Sequence, residues 1–429
     1  MIGNRRGVLT MYLFFFIISI LLGNCKKDDP KPEVIDTTSV VKDAIDSTSF
    51  FHPVTVTKTQ TAKVYVHLMP WFETPATSTN GQWGMHWTMA NKDPNKIVDA
   101  TTGKREIASH YYPLTGPYAS SDPAIIEYQV LLMKLAGIDG VLIDWYGTLK
   151  KNDYPANLKN TIAITSKLRQ AGLTYALVYE DAVMKSISDP ATRITDAQND
   201  MKYLKSNDFS APHYIHIDKN PLLMTFGPQT FQTPSDWTSI FSIFPTIKPK
   251  FLTLWYEAKE AGSNAAGEFS WVYQDNNSHI THLNNFYART DVGLKMGSAY
   301  PGFNDFYTEG GWSDNVSFSI NYNDSITFRQ TLQKAVDNVS YIQLVTWNDY
   351  GEGTMIEPTF EFGYKFLTTL QDILGVGYTQ DDLKLVYRFY ELRKSLKDSA
   401  NDMKKLDQAF AYFASLQLDK AKEIIDQYN

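Results

Sequence analysis

Asp122–Gly147 reads DPAIIEYQVLLMKLAGIDGVLIDWYG, and this stretch decides the fold. Ala124–Ala136 spaces its apolar residues as an amphipathic helix does, Gly137 stops it, and Gly140–Trp145 (GVLIDW) follows at once as a buried strand. The same unit recurs outward in both directions. Lys63–Met69 (KVYVHLM) reads as the strand before it. Asn157–Gln170, a Gly172 stop and Thr174–Tyr179 (TYALVY) make the next helix and strand. Leu222–Phe226, Phe251–Trp255, Gly293–Gly297 and Ile342–Trp347 are further strands, with Phe269–Tyr273 (FSWVY) as a candidate eighth. Near-continuous apolar strands alternating with helices predict an α/β fold with a parallel sheet covered on both faces. Eight such units fit a (β/α)8 TIM barrel with enlarged loops and C-terminal helices. A doubly wound sheet is the alternative, but no GxGxxG follows the first strand.

After Pro358 the chain turns helical, over 362–375, 380–398 and 401–427. The first of these closes the barrel, and the last two form a helical hairpin on its side. The predicted organisation is therefore a leader at 1–24, a tether at 25–60, a barrel at 61–375 and a helical extension at 376–429.

Composition narrows the function. The 429 residues carry 40 Lys+Arg against 47 Asp+Glu, a formal charge of −7, which argues against a nucleic-acid or anionic-membrane surface. With 20% charged residues, the chain is neither a disordered polyelectrolyte nor a multi-span membrane protein. Aromatics reach 14%, an excess that suits a surface stacking on flat apolar faces such as those of sugar rings.

The cysteine at position 25 is the chain's one thiol. Arg5-Arg6 and an apolar run from Val8 to Leu22 precede Gly23-Asn24-Cys25, the layout of a secretory leader rather than a spanning helix. Leu22-Gly23-Asn24-Cys25 resembles the bacterial lipobox, in which the cysteine becomes the lipidated first residue; Asn24 departs from the usual small residue. This predicts a lipoprotein of the outer membrane, on its surface or periplasmic face, held only by its N-terminal lipid. The mature chain then has no free thiol, which excludes disulfides and cysteine chemistry. The Ser/Thr/Asp-rich stretch that follows reads as a tether.

In a barrel, chemistry collects where strands end. His67–Phe72 (HLMPWF), Asp144-Trp145-Tyr146, Tyr179-Glu180-Asp181, Tyr256-Glu257, Tyr300–Asp305 (YPGFND) and Trp347–Thr354 (WNDYGEGT) all mix an aromatic with a carboxylate or amide. Carboxylates for proton transfer beside aromatics for stacking are what glycosidic cleavage requires. Asp349 and Glu352 are the leading pair, three residues apart past the last strand and flanked by glycines that permit a tight turn. One carboxyl must be protonated to serve the leaving oxygen and the other ionised. In an arbitrary DxxE the Asp caps a helix and the Glu pairs with a surface cation; beside Trp347 and Asn348 at a strand end, the catalytic reading gains equal weight.

Trp347–Glu352 resembles the motif of the fungal α-1,3-glucanases, glycoside hydrolase family 71, and Glu352–Pro358 (EGTMIEP) resembles that of the endo-α-mannosidases and endo-α-mannanases, family 99. HLMPWF, the Asp122–Gly147 block and YPGFND resemble the same group. The resemblance implies a (β/α)8 barrel that acts internally on α-linked polysaccharide, α-glucan or α-mannan. The family-99 pattern places its two catalytic glutamates at Asp349 and Glu352. There the first takes the proton of the sugar 2-hydroxyl, giving a 1,2-anhydro intermediate with retention, and the second is the acid/base. This chain departs with Asp at the first position and Tyr-Gly between. Asp is what the α-1,3-glucanase motif carries, and those enzymes resemble inverting hydrolases. Glu352 is thus the expected acid and Asp349 the expected base.

Trp71, Asp144, Trp145, Tyr146, Glu180, Tyr256, Glu257, Tyr300, Asp305, Trp347 and Asn348 are expected to bind substrate. Gln82–Trp87 (QWGMHW) either lines the cleft or packs on itself, and His67 reads as a core histidine. No HExxH, P-loop, GxSxG or EF-hand loop occurs, so no metal or cofactor is implied. The expected partner is an α-linked polysaccharide or oligosaccharide, bound by a monomer. The rival is a non-catalytic glycan-binding lipoprotein on the same barrel.

Overall fold

The computed structural model describes residues 52–313 and 318–428. Among the described residues, eight strands pair in parallel, in chain order: β1 (Lys63–Leu68), β2 (Gly140–Trp145), β3 (Thr174–Tyr179), β4 (Asn220–Thr225), β5 (Lys250–Leu254), β6 (Gly267–Phe269), β7 (Leu294–Ala299) and β8 (Tyr341–Leu344). Each pairs in parallel with the next, and β8 returns to β1 in the register Lys63↔Tyr341 to Val66↔Leu344. The sheet is therefore closed, the expected (β/α)8 barrel. Inside it, Gln343 donates to the Ser270 carbonyl at 2.6 Å and the Ser270 and Ser298 hydroxyls bond at 3.0 Å. His67 stands edge-on to Trp271, and burial pushes its imidazole down to about 4, so it is a neutral core residue.

The helix α1 (Pro123–Leu135) starts where Asp122 accepts the Ala124 N–H at 2.9 Å, with Pro123 in the first turn, where no amide is missed. It is apolar nearly all round because it is covered on both sides. One face packs on the barrel. The other meets the helix Gln380–Ser395 of the C-terminal extension. Next, α2 (Tyr154–Ala171) ends at Gly172, whose φ of +74° is the left-handed cap the sequence predicted. The barrel is completed by α3 (Pro190–Asn207), α4 (Pro234–Ile240), α5 (His279–Ala288), α6 (Ile326–Asn338) and α7 (Lys365–Leu374).

The C-terminal extension is α8 (Gln380–Ser395), α9 (Ala400–Ala414) and α10 (Leu418–Ile425). Residues 401–427 thus form two helices, not the single one expected. The break is at Leu416, whose φ is +59°, a conformation with no glycine or proline to announce it. The extension docks on α1 through Arg393, which pairs with buried Glu127 at 2.7 Å, and through Tyr387 and Tyr390 around Tyr128.

Several boundaries also shift, among them two strand ends. β6 ends at Phe269, where FSWVY was expected to begin, and β8 ends at Leu344 rather than Trp347. Nor is the tether free through residue 60. The Thr59 and Gln60 N–H groups both donate to the Leu374 carbonyl, Lys58 pairs with Asp139 at 2.5 Å, and Lys134 holds the Val54 carbonyl. The leader, Cys25 and the rest of the tether lie outside the described residues.

Candidate active site

Past β8 the backbone folds back on itself. Thr346 donates its N–H to the Thr354 carbonyl, and its hydroxyl accepts the Asp349 N–H at 2.8 Å. Asn348 clamps this turn to the end of β1. Its Oδ1 accepts the Met69 N–H at 2.9 Å, and its Nδ2 donates to the Met69 carbonyl at 3.0 Å and the Tyr118 hydroxyl at 3.1 Å. Both Nδ2 hydrogens and Oδ1 are thus bonded within the protein, and Asn348, expected to bind substrate, holds the turn. Behind it, buried Glu357 accepts from Tyr118, Gln129 and Tyr350 at 2.8–2.9 Å. This brace under the turn went unnoticed in the sequence.

On that base sits the pair. Asp349 is buried, and its Oδ1 accepts the Glu352 N–H at 2.9 Å. Glu352 is only partly covered and accepts the Tyr307 hydroxyl at 3.1 Å. Gly353 has φ +71°, and a Cβ there would lie 2.7 Å from the Asn304 carbonyl and the Tyr322 hydroxyl. That position requires glycine.

Two more carboxyls converge from neighbouring strands. Asp144, at the end of β2, is buried and its Oδ1 has no hydrogen-bond partner. Glu180 follows β3 and interacts with Asp144, Asp181 and Glu352. Burial away from water governs all four, and neighbouring negative charge adds to it at Asp144, Glu180 and Glu352. Burial raises Asp349 to about 6, while the Glu352 N–H, the charge of His86 and the Gly351 N–H pull against it. Burial and then the Asp349 charge push Glu352 well above the usual carboxylate range. Burial likewise lifts Asp144 to about 7, and burial with the Asp144 charge lifts Glu180. Asp305 adds its charge beside Glu352 while accepting the Tyr307 N–H at 3.0 Å.

Rings form an arc at the mouth. Tyr154 stacks on Tyr146 with centroids 5.2 Å apart, Tyr146 meets Trp71 at 6.5 Å, and Trp71 lies on His86 at 4.0 Å. His86 meets the Trp312 ring at 5.8 Å, and Trp312 stacks at 6.3 Å on Tyr307, the residue bonded to Glu352. Tyr146 and Trp71 were legible in the sequence, whereas Tyr307 and Trp312 lie in the long loop after β7 and were missed.

Several expected residues point elsewhere. Trp145 is buried against Tyr179 and Tyr203 of α3, on the outer side of the strand that turns Asp144 inward. Tyr300 is buried with its hydroxyl on His279 of α5 at 3.0 Å, and Trp347 is fully buried under the turn. Tyr256 is exposed, its ring over the Arg289 guanidinium at 4.8 Å and its N–H on buried Glu268. The charges around Glu257 are Lys259, Glu260 and Glu268, not the four carboxyls. Asp181 is a loop clamp that accepts the N–H groups of Gln229, Thr230 and Phe231. The Gln82–Trp87 stretch divides: Trp83 bonds Asn95 within its own loop, Trp87 is core, and His86 reaches the site. Among the described residues no cluster could hold a metal ion.

Residues 59–221 match the family model described as Glycosyl hydrolase family 99. Of the two families resembled in the sequence, this is the one the first half of the barrel supports; the matched region stops short of Asp349 and Glu352. A glycoprotein endo-alpha-1,2-mannosidase-like protein of Danio rerio is 28% identical over 87 residues, 19% of this chain and 20% of that protein. The chain thus matches about a fifth of the length of this curated relative. Among solved structures, the GH99 endo-alpha-mannosidase from Bacteroides thetaiotaomicron superposes with a TM-score of 0.56 at 18% identity, over 76% of this chain and 98% of that one. A glycoside hydrolase-like protein gives 0.53 at 13% identity, over 75% and 97%. At these identities the structural likeness establishes the shared barrel.

Proposed function

We propose that the protein is an endo-acting α-glycoside hydrolase of α-linked polysaccharide, with Glu352 as general acid and Asp349 as base. The observation that carries this is one turn holding two carboxyls whose environments separate them. Burial raises Asp349 to about 6 against the pull of the Glu352 N–H, whereas burial and then the Asp349 charge push Glu352 well above the usual carboxylate range, so Glu352 is the one suited to hold a proton. Glu352 then gives its proton to the glycosidic oxygen as the bond breaks. Asp349 takes the proton of the attacking hydroxyl, that of the sugar or of a water. Asp144 and Glu180 interact with the pair and are suited to sugar hydroxyls, and the arc from Tyr154 to Trp312 offers ring faces.

Similarity to endo-alpha-mannosidases favours α-mannan over α-glucan as the polymer. The test is reducing-end release from yeast-type α-mannan and from α-1,3-glucan by residues 52–429, beside Asp349→Asn and Glu352→Gln. Release from α-mannan that falls by about 10²–10⁴-fold in both folded variants supports the reading. Tight binding without release by the parent would instead support the glycan-capturing rival. We also propose that Cys25 carries a lipid that holds the barrel at the outer membrane, supported by the lipobox-like Leu22–Cys25. Labelled palmitate in the parent but not in Cys25→Ala is the expected result.

A further inference from the structure

The chain between Thr346 and Glu357 closes on itself. Ile356 donates its N–H to the Thr346 carbonyl at 3.0 Å, and Glu357 donates its own to the Trp347 carbonyl at 2.9 Å. Asp349, Tyr350 and Glu352 lie within the loop so formed. From the base of that loop the Glu357 side chain turns inward, and its Oε2 accepts the Tyr350 hydroxyl at 2.9 Å. Tyr350 is fully buried, with its ring against Phe72 at 6.0 Å and Trp87 at 5.5 Å. It follows Asp349 directly and stands two residues before Glu352, so the Glu357 carboxyl is bonded to the stretch that joins the pair.

The same carboxyl also reaches toward β1. Its Oε2 accepts the Tyr118 hydroxyl and its Oε1 accepts Gln129 Nε2 of α1, both at 2.8 Å. The Tyr118 oxygen in turn receives Gln129 Nε2 and Asn348 Nδ2, each at 3.1 Å. A phenol has one proton, and with two N–H groups on its oxygen that proton goes to Glu357. The direction passes on to Asn348. With Nδ2 committed to Tyr118, Oδ1 is the atom left for the Met69 N–H at the end of β1. Glu357 is buried, which raises it to about 7, and the bonds from Gln129, Tyr118 and Tyr350 pull against that rise.

We propose that Glu357 is a positioning residue for the catalytic pair: as the acceptor on which these bonds converge, it sets their direction and so fixes both Tyr350, between Asp349 and Glu352, and the Asn348 clamp before them. This rests on the reading of Asp349 and Glu352 as base and acid. A glutamine at 357 keeps the shape but offers one acceptor oxygen instead of two, so what the position supplies is polarity and not packing alone.

The test is a double-mutant cycle in the full chain, with kcat and KM measured on α-mannan. Glu357→Gln turns its new Nε2 toward Gln129 Nε2 or toward the two phenols, and Gln129→Glu brings one carboxyl against another. Each should lower kcat by up to about 10²-fold in folded protein, with KM little changed. Glu357→Gln combined with Gln129→Glu again places an acceptor opposite each donor and should recover most of the loss. Losses that simply add would overturn the proposal. Tyr350→Phe keeps the ring and removes a single bond, which guards against a Glu357 variant that does not fold. It should lower kcat in the same way, whereas Tyr128→Phe, whose hydroxyl has no partner among the described residues, should leave kcat unchanged. A lowered Tm in Tyr350→Phe with kcat intact would overturn the proposal, because a brace that serves only the fold behaves that way. A second readout needs no turnover: the amide ¹H–¹⁵N signals of Gly351 and Glu352. They should move in each single variant of the cycle and return in the double, and signals that stay in place throughout overturn the proposal whatever the activity. If the parent cleaves no glycan, signals that move and return sustain the brace while the hydrolase reading falls.

Discussion

The backbone N–H of Glu352 donates to Oδ1 of Asp349 at 2.9 Å, so the residue that carries the acid also hydrogen-bonds the base. A bond from N–H to a carboxylate is worth most when the carboxylate is ionised. The turn therefore favours charge on Asp349, and that charge in turn keeps the proton on the Glu352 side chain. The two assignments follow from one piece of backbone geometry.

A bell-shaped pH profile follows. Below the value of about 6 for Asp349, the base is protonated and kcat/KM should fall about tenfold per pH unit. The alkaline limb belongs to Glu352, which burial and the Asp349 charge raise well above its ordinary range. In Asp349→Asn that charge is gone, so the carboxyl titration of Glu352 should move down. The steps belong to the pair as a whole, and a single limb in the parent would contradict the assignment.

Asn348 separates structural from substrate-binding roles. Asn348→Ala leaves the Met69 N–H, the Met69 carbonyl and the Tyr118 hydroxyl without this partner. Each buried group left unsatisfied costs roughly 1–3 kcal/mol. A lowered Tm and a lowered kcat are expected, with KM for short oligosaccharides little changed. An unchanged Tm with a raised KM would return Asn348 to the substrate.

Asp144 should trade stability for function. Its folded value is raised from 3.8 to about 7, mainly by burial, so the native state holds a proton that the unfolded chain has released. Between those values the folded state binds more protons, and stability falls as pH rises. Asp144→Asn removes that slope. Its Tm should decline less than the parent's from about pH 4 to about pH 7, and should exceed the parent's by on the order of a few degrees above that range. Weaker glycan binding should accompany the gain, since Oδ1 is a buried acceptor with no protein partner.

The barrel was legible because its signals are local. β2 and β3 have the limits the sequence predicted, each preceded by a glycine stop and built of a continuous apolar run. The split between α9 and α10 was not, because Leu416 adopts its left-handed conformation without glycine. In the site, sequence identified the strand ends but not their phase. Asp144 and Trp145 are adjacent, and alternation along β2 allows only one of them to face inward. Which one does so depends on the pairing with β1 and β3. His86, Tyr307 and Trp312 come from long loops, where no periodicity indicates which side chains meet.

That difference of phase can be measured with two tryptophans. Trp71 lies at the mouth with one face against His86, and Tyr146 is beside it at 6.5 Å. Trp145, by contrast, is sealed between the barrel and Tyr203 of α3. Trp71→Ala should raise KM for mannan oligosaccharides, because a stacked ring is worth on the order of 1 kcal/mol, close to fivefold in affinity. Trp145→Phe should instead lower Tm by leaving a cavity, and KM should remain in place. The two effects come from residues on opposite sides of the barrel wall, so each variant is the control for the other. A raised KM in Trp145→Phe at unchanged Tm would mean that β2 presents its other face to the cavity, and the site as described would be wrong.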